Sequence, residues 1–162
     1  MIEIHQSAFI SPNSDIEPSK KGSKIAIGEN VIIDSFVKIK PAGGKGSIII
    51  GDGSIINSGC VIYSGNGVTI GKNVAIAANC TLAPVNHKYE NKDIQIVDQG
   101  FSCSKGGIII EDDVWIGAGV VILDGAIIRK GCVVGALSLV RGELPEYSIN
   151  VGNPIKSLGF RK

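Results

Sequence analysis

One period governs this chain. From Ile110 an aliphatic residue returns every six positions without a gap, at Ile116, Ile122, Ile128, Val134 and Val140. Four residues after each start comes a second apolar or small side chain: Val114, Val120, Ala126, Cys132, Ser138 and Leu144. A short fixed period is the mark of a repeat architecture. Upstream the pattern recurs in blocks beginning at Ile27, Ile33 and Ile39, at Ile50, Ile56 and Ile62, and at Ile70, Ile76 and Leu82, while Ile10 and Ile16 start an incomplete block. Each block holds three hexapeptides, and the extra residues always follow the third, around Gly43 to Ile49, Asn66 to Thr69 and Pro84 to Ile109. Insertions at a single corner imply three-sided coils. Three six-residue sides make one rung, and rungs stacked about 4.8 Å apart pair every backbone group with the rung above or below.

The spacing therefore predicts an all-β parallel β-helix of about six triangular coils, roughly 30 Å tall. It carries one long loop insertion at 84–109 and a short C-terminal helix or tail. One domain spans 1–162, with coils over about 10–144 and the tail at 145–162. Pro154 after Asn153 reads as the first position of a short terminal helix with an Asn cap.

Composition follows from that geometry. The chain has 28 Ile, 14 Val and only 6 Leu, with 22 Gly and 5% aromatics against 44% hydrophobic residues. A narrow triangular interior accepts stacked β-branched side chains and excludes rings. Cys60, Cys80 and Cys132 fall at the small inward position and read as core residues, whereas Cys103 lies in the insertion and stays open. With no CxxC pair and no His at ligand spacing, neither a metal site nor a disulfide framework is indicated. Gly28, Gly51, Gly71, Gly117 and Gly135 follow hexapeptide starts, where the missing Cβ would ease a tight corner.

A formal charge of +1 lacks the basic excess that nucleic acid demands of a partner. Residues 1–21 hold no apolar stretch long enough for a signal-peptide core or a membrane span, so the expected location is cytoplasmic.

Two histidines are available for proton transfer. His5 precedes the first hexapeptide and reads as a solvated terminal residue. His87 opens the one long insertion, where functional groups on a repeat scaffold collect, and position alone leaves catalytic and structural roles equally open. Trp115, sixth in its hexapeptide, should point outward, into a substrate cleft or a subunit interface, or simply into solvent.

The pattern Ile-Gly-x-x-Val-x, as in Ile27 to Ile32 and Ile70 to Ala75, resembles the hexapeptide-repeat acyltransferases, whose fold is a left-handed parallel β-helix. The hand comes from this resemblance alone; the general preference for right-handed crossovers points the other way. Ile76 to His87 (IAANCTLAPVNH) and Val114 to Gly119 (VWIGAG) look like the galactoside and xenobiotic acetyltransferase branch. Asn91 to Gly100 (NKDIQIVDQG) looks further like bacterial O-antigen and capsule O-acetyltransferases, and Val151 to Lys156 (VGNPIK) is similar to the family's closing motif.

The resemblance implies acetyl transfer from acetyl-CoA to a saccharide hydroxyl by direct attack, without a metal, in a homotrimer with active sites between subunits. His87, which ends the family's motif, would be the general base. The corner at Gly117 and Ala118, together with Ala136, would offer backbone N–H groups to the CoA arm. Arg141, Lys156 and Arg161 would face CoA phosphates, or else form a solvated basic tail. Asn57 matches an acceptor-binding Asn, although Asn at such a corner often only adopts a left-handed turn. Gly142 and Glu143 depart from the family's basic residue and Asp, and Gly65 stands about where galactoside enzymes carry an acidic acceptor-binding residue, which puts galactoside specificity in doubt.

A nucleotide-amino-sugar N-acetyltransferase uses the same scaffold and is the alternative enzyme. A non-catalytic β-helix scaffold is the alternative from another class. A γ-type carbonic anhydrase needs three zinc-binding histidines, and this chain has two. The acceptor's identity, the hydroxyl modified and the use of longer acyl groups are not encoded legibly.

Overall fold

The computed structural model describes residues 1–162. Short strands stack into three walls of a triangular prism. The first face carries Ile2–Ile4, Ile25–Ile27, Ile48–Ile50, Val68–Ile70, Ile108–Ile110, Ala126–Ile128 and Glu143–Leu144. The second carries Phe9–Ile10, Ile32–Ile33, Ile55–Ile56, Ala75–Ile76, Trp115–Ile116, Val133–Val134 and Ser148–Val151. The third carries Asp15–Ile16, Lys38–Lys40, Val61–Tyr63, Thr81–Ala83, Val121–Leu123 and Leu139–Val140. The chain visits the faces in that order six times and begins a seventh circuit. Each strand pairs in parallel with its counterpart one circuit on, as in Ile70 opposite Ile110 and Ile76 opposite Ile116. The architecture is consistent with a left-handed parallel β-helix.

Both ends differ from the expected limits. The first circuit is complete, because Ile4 lies in frame six residues before Ile10 and Ile2–Ile4 pairs with Ile25–Ile27. At the other end the coil runs past Leu144, with Ser148 and Asn150 buried inside it. No terminal helix forms. A turn through a cis Asn153–Pro154 bond reverses the chain, and Lys156–Phe160 pairs antiparallel with Ser148–Val151 at the edge of the second face. A local capping signal yields here to the backbone partners offered by an open edge.

The interior is one column of 29 buried apolar residues, drawn from the first and fifth hexapeptide positions. Cys60, Cys80 and Cys132 lie in it. Cys60 Sγ donates to the Ala77 carbonyl at 3.1 Å and Cys80 Sγ to that of Gly117 at 3.2 Å. The neighbouring Cys80 thiol and burial push the Cys60 thiol far above the usual thiol range.

Corners make two separate demands. The fourth hexapeptide residue takes a left-handed backbone, with φ of 53° at Asn30, 54° at Asn73 and 60° at Asn79. The second position needs glycine for a different reason. At Gly51 an added Cβ would lie 2.5 Å from the Gly71 carbonyl oxygen of the next circuit, and at Gly117 it would lie 2.6 Å from the Ala136 nitrogen. Glycine at the second position thus answers to close stacking of circuits, not to corner φ.

Candidate active site

His87 stands at the foot of the one long excursion from the prism, between Thr81–Ala83 and Ile108–Ile110. The excursion folds back on itself. Ser102 N–H donates to Asn86 O at 2.8 Å, Lys88 N–H to Gly100 O at 3.0 Å, and Ser102 Oγ to His87 O at 3.2 Å. The His87 and Phe101 rings pack at 4.7 Å between centroids. At the tip, the Gln99 amide donates to the carbonyls of Asn91 and Ile94, both at 2.8 Å, closing the loop around a single 3-10 turn at Ile96–Asp98. The imidazole is exposed and makes no hydrogen bond within the chain. Beside it opens a cavity of about 620 Å³ lined by Asn86, Tyr89, Ser102, Cys103 and Lys105, with Asp124 in its wall.

A larger recess, about 740 Å³, lies on the first face over Ala26 and Ile49. His5 sits at its rim, 2.9 Å from Ser7 Oγ and 3.7 Å from a Glu29 carboxylate oxygen. Of the two hollows, only the smaller brings a histidine together with the excursion.

Gly117, Ala118 and Ala136 lie at the corner between the second and third faces. Their neighbours are bonded between circuits: Gly119 N–H to Ala78 O and Leu137 N–H to Ala118 O, both at 2.9 Å. The N–H groups of Ala118 and Ala136 make no hydrogen bond within the chain, and neither does that of Ala78 one circuit below. The corner between the first and second faces is built differently. There Asp52 accepts Glu29 N–H at 3.0 Å, Asp112 accepts Lys72 N–H at 2.7 Å and Glu111 accepts Lys130 N–H at 2.8 Å. Lys72, and then the Glu29 N–H, hold the Asp52 carboxyl below its usual range. In the early circuits of the second-to-third-face corner, Asp34 plays the same part, accepting from Ser58 Oγ and from Ser35 N–H and held low by both. At the position of Asp34 the later circuits carry Ala77, Gly117 and Gly135, none with a carboxylate, which leaves the N–H groups of Ala78, Ala118 and Ala136 as a row of free donors.

Asn57 donates one amide hydrogen to Ile76 O at 2.8 Å, which leaves its second N–H and Oδ1 for another partner. The left-handed residue of its corner is Gly59, not Asn57. Trp115 points outward from the second face and is 54% exposed. It belongs to an outward ladder in register, Phe9, Ile32, Ile55, Ala75, Trp115, Val133 and Ile149. The three basic residues do not converge. Arg161 is tied to Asp113 Oδ2 and Gly131 O, both at 3.0 Å, at the corner of the first and second faces. Lys156 opens the last strand, and Arg141 follows the last strand of the third face; both are exposed and outside any ion pair. A face about five residues wide separates its corners by roughly 15 Å, so His87 and the bare N–H groups of one chain stand apart. No group of three or more His, Cys, Asp or Glu side chains is placed to hold a metal ion, and no helix is long and apolar enough to cross a membrane.

Two of these features left no mark in the sequence: the bare N–H of Ala78, which depends on a neighbour lacking a carboxylate, and the buried Asp124.

Family models for the bacterial transferase hexapeptide (six repeats) match residues 107–142, and for the hexapeptide repeat of succinyl-transferase residues 47–84. A hexapeptide-repeat-containing acetyltransferase from Vibrio cholerae, solved with acetyl-CoA, superposes with a TM-score of 0.71 at 30% identity, covering 84% of this chain and 71% of that one. The chain belongs to the hexapeptide-repeat acyltransferase family. The family's dTDP-4-amino-4,6-dideoxy-D-glucose acyltransferase from Escherichia coli is 28% identical over 99% of this chain and 86% of its own length. AntD, an N-acyltransferase from Bacillus cereus solved as a point mutant with dTDP-4-amino-4,6-dideoxyglucose and coenzyme A, superposes with a TM-score of 0.82. It is 26% identical, with 99% of this chain and 84% of that one covered. Against a probable acetyltransferase from Mycobacterium tuberculosis, identity is 39% over 51% of this chain, and the match spans only 27% of the relative.

Proposed function

We propose that the protein transfers an acetyl group from acetyl-CoA to a sugar hydroxyl, with His87 as general base. The observation that carries this reading is an unencumbered imidazole at the mouth of a cavity on the sole excursion. With no hydrogen-bond partner in the chain, the His87 imidazole can take the hydroxyl proton as the oxygen attacks the thioester carbon, and return it to the departing sulfur. Negative charge builds on the thioester oxygen in that step. The bare N–H of Ala118 is a preorganised donor for it, and that of Ala136 suits the amide-rich arm of CoA.

Because these groups occupy different corners of one chain, the reading requires a second copy to bring its corner to His87; the homotrimer with a site in each groove that the family resemblance implies would supply it. Arg141 and Lys156 remain available to CoA phosphates; Arg161, held by Asp113, is a weaker candidate. Asn57 Oδ1 and Trp115 are placed for the acceptor side or the seam between copies. Residues 1–162 form one acyltransferase domain within that assembly, and a cytoplasmic location, where acetyl-CoA is available, goes with this activity.

A second reading has its own support. The relatives matched over most of their length, from E. coli and B. cereus, carry names that specify an amino-sugar acyltransferase and an N-acyltransferase, which favours an amine acceptor on a nucleotide sugar.

His87→Ala should lower turnover by about a hundred- to ten-thousand-fold while acetyl-CoA affinity stays nearly unchanged, with His5→Ala as the neutral control. Steady-state kinetics at saturating acceptor, with chemistry rate-limiting, decide it: turnover within about threefold of the parent at pH 7 would remove the base assignment. Acceptor screening by mass spectrometry separates the two readings, since an acetyl ester is lost in mild base and an acetamide is not. Absence of any shift in melting with acetyl-CoA would move a non-catalytic scaffold ahead; at a hundred times its Kd the ligand should add about 2.7 kcal/mol.

A further inference from the structure

We propose that Asp124 is a positioning residue that clamps the excursion and so fixes His87; this rests on His87 being the base. Asp124 is 6% exposed and forms no ion pair. Its carboxylate accepts three hydrogen bonds: Gly107 N–H at 2.9 Å on Oδ1, and on Oδ2 both Lys105 N–H at 2.8 Å and Asn66 Nδ2 at 3.0 Å. Lys105 and Gly107 end the returning limb of the excursion, and Asn66 belongs to the turn that follows the third circuit. The carboxylate thus joins three consecutive levels of one corner.

From there the connection to the imidazole is short. Ser102, three residues before Lys105, bonds through its N–H to Asn86 O and through Oγ to His87 O, and Phe101 packs on the His87 ring. Gly125 N–H donates to Gly107 O at 2.7 Å, completing the clamp. Gly107 itself has φ of 81°, and a Cβ there would lie 2.5 Å from the Gly67 carbonyl oxygen, so the limb passes where only glycine fits.

A buried carboxylate without a cation is costly unless its oxygens are fully hydrogen-bonded. Keeping one here is explained by its two oxygens, which hold both ends of the Lys105–Gly107 segment at once. Asparagine can keep the Gly107 bond, and can regain Asn66 if that amide turns over, but it cannot also accept from Lys105. Alanine loses all three.

The test compares Asp124→Asn, Asp124→Ala and the parent by steady-state kinetics, melting and amide hydrogen exchange. Displacing a catalytic group by about 1 Å can cost a hundredfold in rate, so kcat should fall about tenfold in Asp124→Asn and about a hundredfold in Asp124→Ala. KM for acetyl-CoA should stay within about twofold, since Asp124 touches none of the N–H groups at the Ala118 corner assigned to CoA. Amides of Lys88, Ser102, Lys105 and Gly107 should exchange faster, while those of Trp115 and Val121 stay protected. Three results would overturn the proposal: kcat within about twofold of the parent in both variants, unchanged exchange in the excursion, or kcat and acetyl-CoA affinity falling together with loss of coil protection. Full turnover in His87→Ala would remove the base, and with it the catalytic part of this role. Unchanged exchange in the Asp124 variants would instead remove the clamp and leave His87 as base.

Discussion

Leu137 holds a φ of 59° and leaves 79% of its surface exposed; Phe36 does much the same at 63° and 71%. Bulky L-residues pay about 1 kcal/mol or more in the left-handed region, whereas Asn tolerates it. Where the side chain stays in solvent, Leu137→Asn should therefore raise stability by about 0.5–1 kcal/mol, seen as a melting point about 1–4 °C higher. A lower melting point would mean that Leu137 is covered by another copy. Cys60→Ala and Cys80→Ala should each cost about 1 kcal/mol of packing and leave the enzyme competent. Intact-protein mass without acceptor should show no acetyl adduct; one that accumulated would reopen Cys103, which lines the His87 cavity. At this scale the inward positions were legible, because burial selects aliphatic residues six apart. The left-handed positions were only half legible: Asn30, Asn73 and Asn79 signal them, and Leu137, Phe36 and Tyr147 conceal them.

Corners decide how the elements hold together. Arg129 bridges two circuits of the first face through Glu111 and Glu143, each at 2.8 Å. Its guanidinium and the Lys130 N–H hold the Glu111 carboxyl below the ordinary glutamate range. A carboxyl depressed in the folded state stabilises the fold fully above its unfolded pKa, about 4.3, and loses that contribution as pH falls through the folded value. Glu111→Gln should accordingly melt about 2 °C below the parent at pH 7, as expected of a part-exposed network worth about 0.5–1 kcal/mol. That gap should close as pH is taken below about 4. A gap that persisted at low pH would assign the loss to packing. The return of the excursion onto Asp124 and the pairing of Lys156–Phe160 were illegible for one reason: both depend on partners distant in sequence, and in the second case local capping residues pointed elsewhere.

For the whole molecule, light scattering at micromolar concentration should return about three times the 16.9 kDa of one chain. A monomer would leave His87 without a facing corner, and the exposed ladder from Phe9 to Ile149 without cover. The prism itself could be derived from the period, whereas the proposed meeting of His87 with the Ala118 corner could not, since it would join two chains. Apart from the terminal Lys156–Phe160 strand, each strand pairs only with the circuits immediately before and after it, and this has a kinetic consequence. Folding can nucleate on any two adjacent circuits and spread like a zipper toward both ends, with no distant strand to wait for. Unravelling should run the other way, from the outermost circuits inward. The fourth and fifth circuits, which flank the excursion bearing His87, would then be among the last to open.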